Sequence, residues 1–205
     1  MNKQLSLFEE PGSGLPKFKR VLAVFPDDYT AAQIGSLANG LRETHGLRGK
    51  IRPVNHLHVS LPLPRHFVRG PESAVEIIGR VCETVAAVTP SFEIRFERVM
   101  SFPKPTGNHT LVLVGESHGN DGIMHLHGML RAEFAKYHLR TSKLVPHLTL
   151  LYDKKELTSS LVEPVCWTVK EIVLVNSEVG ATKYHRLGCW KLGGTVYFPD
   201  TRVRE

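Results

Sequence analysis

Two four-residue segments carry the clearest chemistry in this chain. One reads His58-Val59-Ser60-Leu61 and the other His147-Leu148-Thr149-Leu150. Each is a histidine, an apolar residue, a hydroxyl residue and a leucine. On a β-strand side chains alternate between faces. His58 and Ser60 then share one face, opposite Val59 and Leu61. His147 and Thr149 share a face in the same way, opposite Leu148 and Leu150. An imidazole titrates near neutral pH, so it can give or take a proton there. Two imidazoles flanking one phosphorus atom permit acid–base catalysis from both sides, each contributing about 10²- to 10⁴-fold in rate. Ser60 and Thr149 can donate hydrogen bonds to the non-bridging oxygens. This chemistry needs no metal when the leaving group is a strained ribose oxygen.

The elements that must position these residues repeat. Val21-Leu22-Ala23-Val24-Phe25 reads as a buried strand. Pro26, Asp27 and Asp28 can start a helix, whose apolar positions are Ala31, Ile34, Leu37, Ala38 and Leu41. Gly46 and Gly49 close it, and the first histidine strand follows over about Leu57 to Leu63. A second helix begins near Pro71, with a stripe of Val75, Ile78, Val81, Val85 and Val88. Phe92, Ile94 and Phe96 alternate with charged residues as in a half-exposed strand. Pro103, Pro105 and Gly107 mark a loop. The opening pattern then returns: a strand at Leu111-Val112-Leu113-Val114, a helix capped by Asn120 or Asp121, and the second histidine strand from His147 to Tyr152. Val21 to His58 is 58 − 21 = 37 positions, and Thr110 to His147 is 147 − 110 = 37. Matched offsets imply a duplication. Two closing strands are expected at Ile172 to Val175 and about Trp190 to Leu192. The fold class expected is α+β, with two related lobes facing across a pseudo-two-fold axis.

Bulk properties narrow the class. The 205 residues suffice for one substantial core or for two small packed lobes. A net charge of +6 suits a polyanionic partner such as RNA. Three widely spaced cysteines, Cys82, Cys166 and Cys189, argue against a disulfide framework, and no CxxC pair suggests zinc. No signal peptide or membrane span is legible, so the expected location is cytoplasmic, with no membrane partner. Nothing demands an oligomer, and a monomer is expected. Residues 1–17 read as a flexible tail and 18–205 as a single bilobal domain. Within the tail, Gln4-Leu5-Ser6-Leu7-Phe8 resembles the short motif by which bacterial proteins bind the DNA sliding clamp.

The paired His-x-Ser/Thr motifs, their separation and the repeated lobes resemble the 2H phosphoesterase superfamily. The branch resembled is the bacterial 2′-5′ RNA ligase-like group, which includes RNA 2′,3′-cyclic phosphodiesterases. The likeness runs from about Val21 to Leu192 and is strongest at Val145-Pro146-His147-Leu148-Thr149-Leu150-Leu151-Tyr152-Asp153. It extends to Val173-Leu174-Val175-Asn176-Ser177, followed by Tyr184 and Leu187. It implies two antiparallel sheets flanking a central groove with helices outside. It also implies opening of a 2′,3′-cyclic phosphate to a 2′-phosphate with no cofactor and no metal. By position, His58 would be the proton donor, His147 the acceptor that activates water, and Ser60 and Thr149 the phosphate-binding hydroxyls. The substrates implied are RNA ends or small cyclic-phosphate nucleotides. The alternatives are reversible 2′-5′ joining of RNA and non-catalytic RNA or nucleotide binding.

One position departs from the family pattern. Many members have an arginine five residues after the second histidine, where this chain has Tyr152. Strict alternation turns Tyr152 away from Thr149. Either phosphate affinity is lower, or the charge comes from elsewhere, for example Arg140 or Lys143. Phe102 is a further candidate for substrate contact, by stacking on a base. His56, two residues before His58, is expected on the same face at the groove edge. His56-x-His58 lacks a third ligand at metal-like spacing. His125 and His127 are expected at the surface or its boundary, and His109 in the exposed loop.

Overall fold

The computed structural model describes residues 18–116, 119–178 and 183–193. The tail, including Gln4–Phe8, lies outside them. Among the described residues eight strands and three helices follow in the order β1 (Phe18–Val24), α1 (Asp28–His45), β2 (Val59–Leu61), α2 (Ser73–Val88), β3 (Phe92–Phe102), β4 (His109–Val114), α3 (Asp121–Lys136), β5 (His147–Asp153), β6 (Ser160–Val169), β7 (Glu171–Glu178) and β8 (Lys183–Lys191). Short 3-10 turns at Val54–His56 and Arg65–Phe67 flank β2.

The sheet order is β6-β3-β4-β5-β2-β1-β7-β8, and every pairing is antiparallel. The fold is α+β and two-fold in plan. Each histidine strand lies innermost, its β1 or β4 partner next, then β7 or β3, then β8 or β6. The two four-stranded halves meet edge to edge, and one ladder pair, Val59 with Leu148, joins them into a single sheet.

Side-chain alternation sorts the sheet into two faces. Leu22, Val24, Val59, Leu61, Leu111, Leu113, Leu148, Ile172 and Leu174 join one apolar core with Ile34, Ile78, Val81, Leu126 and Phe134 of the helices. Helix α2 packs against β7, β8 and α3, while α1 packs against β5 and β6. The histidines and hydroxyls of the two motifs occupy the opposite face.

Local chemistry sets the helix ends. Asp27 caps α1, its Oδ1 accepting from Thr30 N at 2.9 Å and its Oδ2 from the Thr30 hydroxyl at 3.0 Å. Gly46 ends α1 with φ +60°, a left-handed position that suits a residue without Cβ. Strand β6, absent from the sequence expectations, contains Pro164 and runs along the sheet edge, where proline is tolerated. No described helix is long and apolar enough to cross a membrane.

Candidate active site

The single pair Val59–Leu148 sets the geometry of the site. In an antiparallel register the neighbouring residues follow: His58 stands opposite Thr149, and Ser60 opposite His147. The four side chains form a square with the histidines on one diagonal and the hydroxyls on the other. Diagonal positions across such a pair are about 7–8 Å apart, which leaves room for a phosphate between two imidazoles.

Both imidazoles are held the same way. His58 Nδ1 lies 2.8 Å from the carbonyl oxygen of His56, and His147 Nδ1 lies 2.7 Å from that of Val145. A carbonyl only accepts, so each Nδ1 carries the hydrogen. In the neutral ring each Nε2 therefore has a free lone pair. At His58 it faces the Ser60 hydroxyl at 3.1 Å, which donates to it. The carbonyl is supplied from two residues upstream in both halves, so the duplication extends to the orientation of the rings.

The surroundings of the two histidines differ. Phe25 lies 5.6 Å from the His58 ring, centroid to centroid, and Phe102 lies 5.1 Å from the His147 ring. Tyr184 of β8 reaches the His58 side: its hydroxyl is 3.5 Å from Nδ1, and its ring stacks on His56 at 4.1 Å. Arg52 Nη2 donates to the Tyr184 hydroxyl at 3.2 Å. Burial is the largest influence on His58 and pushes its pKa down to about 4. The hydrogen bond to His56 opposes this, while Arg52, His56 and His147 reinforce it. In the free protein His58 is therefore neutral at physiological pH.

Four expectations need correction. His56 is not on a strand face at the groove edge; it lies in the 3-10 turn, 4% exposed, beneath Tyr184. His127 is not at the surface but buried, with Nε2 donating to Ser142 O at 3.1 Å. Arg140 lines a cavity beyond α3 with Arg131, Ala135, Leu139 and Thr141, a cavity that contains neither motif. Strict alternation fails at Tyr152. The register with β4 shifts between Leu111 and Val112, so that Thr149 pairs with Val112 and Tyr152 with Thr110. The bulge absorbs Leu150 and returns Tyr152 to the face of Thr149. Phe102 lies in this same row, paired with Thr110.

No sequence pattern singles out Arg52 or Phe25 for the site. Arg52 stands in an irregular polar segment, brought alongside β5 by its backbone N–H to Leu150 O at 2.8 Å. That segment is also fixed by Asp153, whose carboxylate accepts from the backbone N–H groups of Arg48 and Gly49 at 2.6 Å each and of Lys155 at 2.8 Å. A cavity of about 670 Å³ adjoins the His58 side, sharing Phe25 and Tyr184 and continuing to Asp28, Lys170, Glu171 and Arg186.

Comparison with known proteins agrees with this fold. Residues 26–181 match the model of the 2′-5′ RNA ligase superfamily. No curated protein matches. Among solved structures the chain is similar to TT0787 of Thermus thermophilus, with TM-score 0.70 and 22% identity over 86% of this chain and 98% of that one. It is similar to E. coli LigT complexed with 3′-AMP, with TM-score 0.63 and 20% identity over 87% and 99%. It also resembles Usb1 of Kluyveromyces marxianus, with TM-score 0.51 and 14% identity over 84% and 98%. With the family model covering most of the chain and the fold shared over nearly the full length of these structures, the protein belongs to the 2′-5′ RNA ligase superfamily of 2H phosphoesterases.

Proposed function

We propose that this protein is a metal-independent phosphodiesterase that opens the 2′,3′-cyclic phosphate of RNA ends or small nucleotides to a 2′-phosphate. The observation that carries this reading is the crossed square of two imidazoles and two hydroxyls, with both Nδ1 atoms tied to backbone carbonyls. His147 Nε2 takes a proton from water as its oxygen bonds to phosphorus. The bond from phosphorus to the ribose 3′ oxygen breaks, and His58 Nε2 gives that oxygen its proton. Ser60 and Thr149 donate to the non-bridging oxygens. Solvent then restores both histidines.

His58 is neutral in the free protein, so the anionic substrate itself favours the charged donor. A phosphate against Nε2 stabilises the imidazolium that burial disfavours. LigT in complex with 3′-AMP offers a parallel for a nucleotide on this fold. The same groups run the reverse reaction when a ribose hydroxyl replaces water, which gives 2′-5′ joining as the second activity, in keeping with the family description. Hydrolysis dominates in water at ordinary RNA concentrations.

The test is turnover of a 2′,3′-cyclic-phosphate oligonucleotide in EDTA. Activity should persist, and His58→Ala or His147→Ala should each remove about 10²- to 10⁴-fold. Loss of activity in EDTA, or full activity in either variant, rejects the mechanism.

A further inference from the structure

The bulge in β5 creates a second feature on the groove face. It places Tyr152 two ladder steps from Thr149, on the side away from His147, a distance of about 7 Å along the strand. Lys104 Nζ lies 4.7 Å from the centre of the Tyr152 ring. The lysine comes from the β3–β4 loop, between Pro103 and Pro105. Its backbone is fastened: Lys104 N donates to His109 Nδ1 at 3.2 Å, and Gly107 N donates to Lys104 O at 3.0 Å. Gly107 closes that turn with φ +68°. Among the described residues no carboxylate forms an ion pair with Lys104. The ammonium therefore rests one side on an aromatic face and keeps N–H donors for a further acceptor.

The direction of the reaction gives this cation a ligand. Water enters from the His147 side, so the ribose leaves toward His58. His58 stands opposite Thr149, and beyond that row lies Tyr152, with Lys104 Nζ over its ring. A strand whose terminal ribose lies beside His58 would continue in the same direction to its next phosphate. We propose that Lys104 binds the phosphate one nucleotide upstream of the cyclic phosphate and that Tyr152 is the residue that positions it. The substrate class is then a 2′,3′-cyclic-phosphate RNA end of at least two nucleotides, rather than a free cyclic mononucleotide. This inference rests on the cyclic phosphodiesterase reading.

The experiment compares kcat/KM for a dinucleotide ending in a 2′,3′-cyclic phosphate with that for the nucleoside 2′,3′-cyclic phosphate. The native enzyme should prefer the dinucleotide, and the preference should weaken as salt rises. Lys104→Gln should reduce the ratio about 1.5- to fivefold, the range of one partly exposed charge contact. Tyr152→Leu should reduce it too, and Tyr152→Phe, which keeps the aromatic face, should restore it. An unchanged ratio in Lys104→Gln, including a fall shared equally by both substrates, overturns the proposal. Absence of turnover on either cyclic substrate rejects the phosphodiesterase reading instead. Calorimetric binding of the matching 2′-phosphorylated dinucleotide and mononucleotide then still tests Lys104: loss of the dinucleotide's advantage in Lys104→Gln supports it, and retention rejects it.

Discussion

Arg52 donates from Nη2 to the hydroxyl of Tyr184 at 3.2 Å, so a guanidinium stands behind the His58 ring. Its charge disfavours the imidazolium forms of both His56 and His58. Replacing Arg52 by glutamine removes that cation while keeping a donor. The His58 pKa should then rise from about 4, because one of the influences lowering it is gone. NMR titration of the His58 imidazole reads this directly, with the kinetic limb that depends on His58 moving to higher pH. An unchanged titration would show that Arg52 acts on Tyr184 alone.

Anion binding should take up protons. At pH 6, above its pKa of about 4, His58 is neutral in the free protein. An anion between the two Nε2 atoms favours the charged ring, so a proton enters with the ligand. Sulfate is a suitable probe, since it does not itself titrate near this pH. Calorimetry in buffers of different ionisation enthalpy should give net uptake, reduced in His58→Gln. Equal uptake in both proteins would place the proton elsewhere.

The parts of the site that follow from period-two alternation are legible in the sequence. His58 with Ser60 and His147 with Thr149 each share a face, and the equal 37-residue offsets place them equivalently. Alternation misplaces Tyr152 because one bulge shifts the period, and neither Leu150 nor Leu151 announces it by residue type. It misplaces His56 because β2 begins only at Val59, leaving His56 in a 3-10 turn where alternation does not apply. Strand β6 escapes notice because Pro164 argues against a central strand, and its edge position becomes apparent only from the sheet order. Arg52 and Lys104 reach Tyr184 and Tyr152 from irregular segments, whose path is fixed by Asp153 and by the Lys104–Gly107 turn rather than by a local pattern.

Asp153 anchors the Arg48–Arg52 segment, so its loss should destabilise the fold as well as the site. Asp153→Ala deprives the Arg48, Gly49 and Lys155 N–H groups of their acceptor. Hydrogen bonds to a charged group are each worth roughly 1.5–3 kcal/mol, and partial replacement by water suggests a net cost of about 3 kcal/mol. Asn should be milder, because its carbonyl keeps part of the acceptor. The three N–H groups, led by that of Lys155, hold the Asp153 carboxyl below its ordinary 3.8. Its contribution is therefore complete above the unfolded carboxylate range and disappears as pH falls through the lower folded value. Urea unfolding at pH 7 and pH 3 should show the Asp153→Ala penalty at the first and a smaller one at the second. Equal penalties would assign the effect to packing.

His138 should be a site where glycine stabilises the protein. It follows α3 with φ +57°, the left-handed region that glycine usually fills after a helix. Its N–H donates to Ala135 O at 2.9 Å, and Leu139 N–H donates to Phe134 O at 3.1 Å, so the helix end requires this conformation. A side chain there costs about 1–2 kcal/mol against a right-handed conformation. Glycine relieves it but loses more chain entropy on folding, about 0.5–1 kcal/mol. The ring is exposed and forfeits little packing. His138→Gly should therefore raise stability by roughly 0.5 kcal/mol, the difference between those two terms. A higher urea midpoint with an unchanged slope would agree. A lower midpoint would mean that the His138 side chain stabilises the helix end by more than its backbone strain costs.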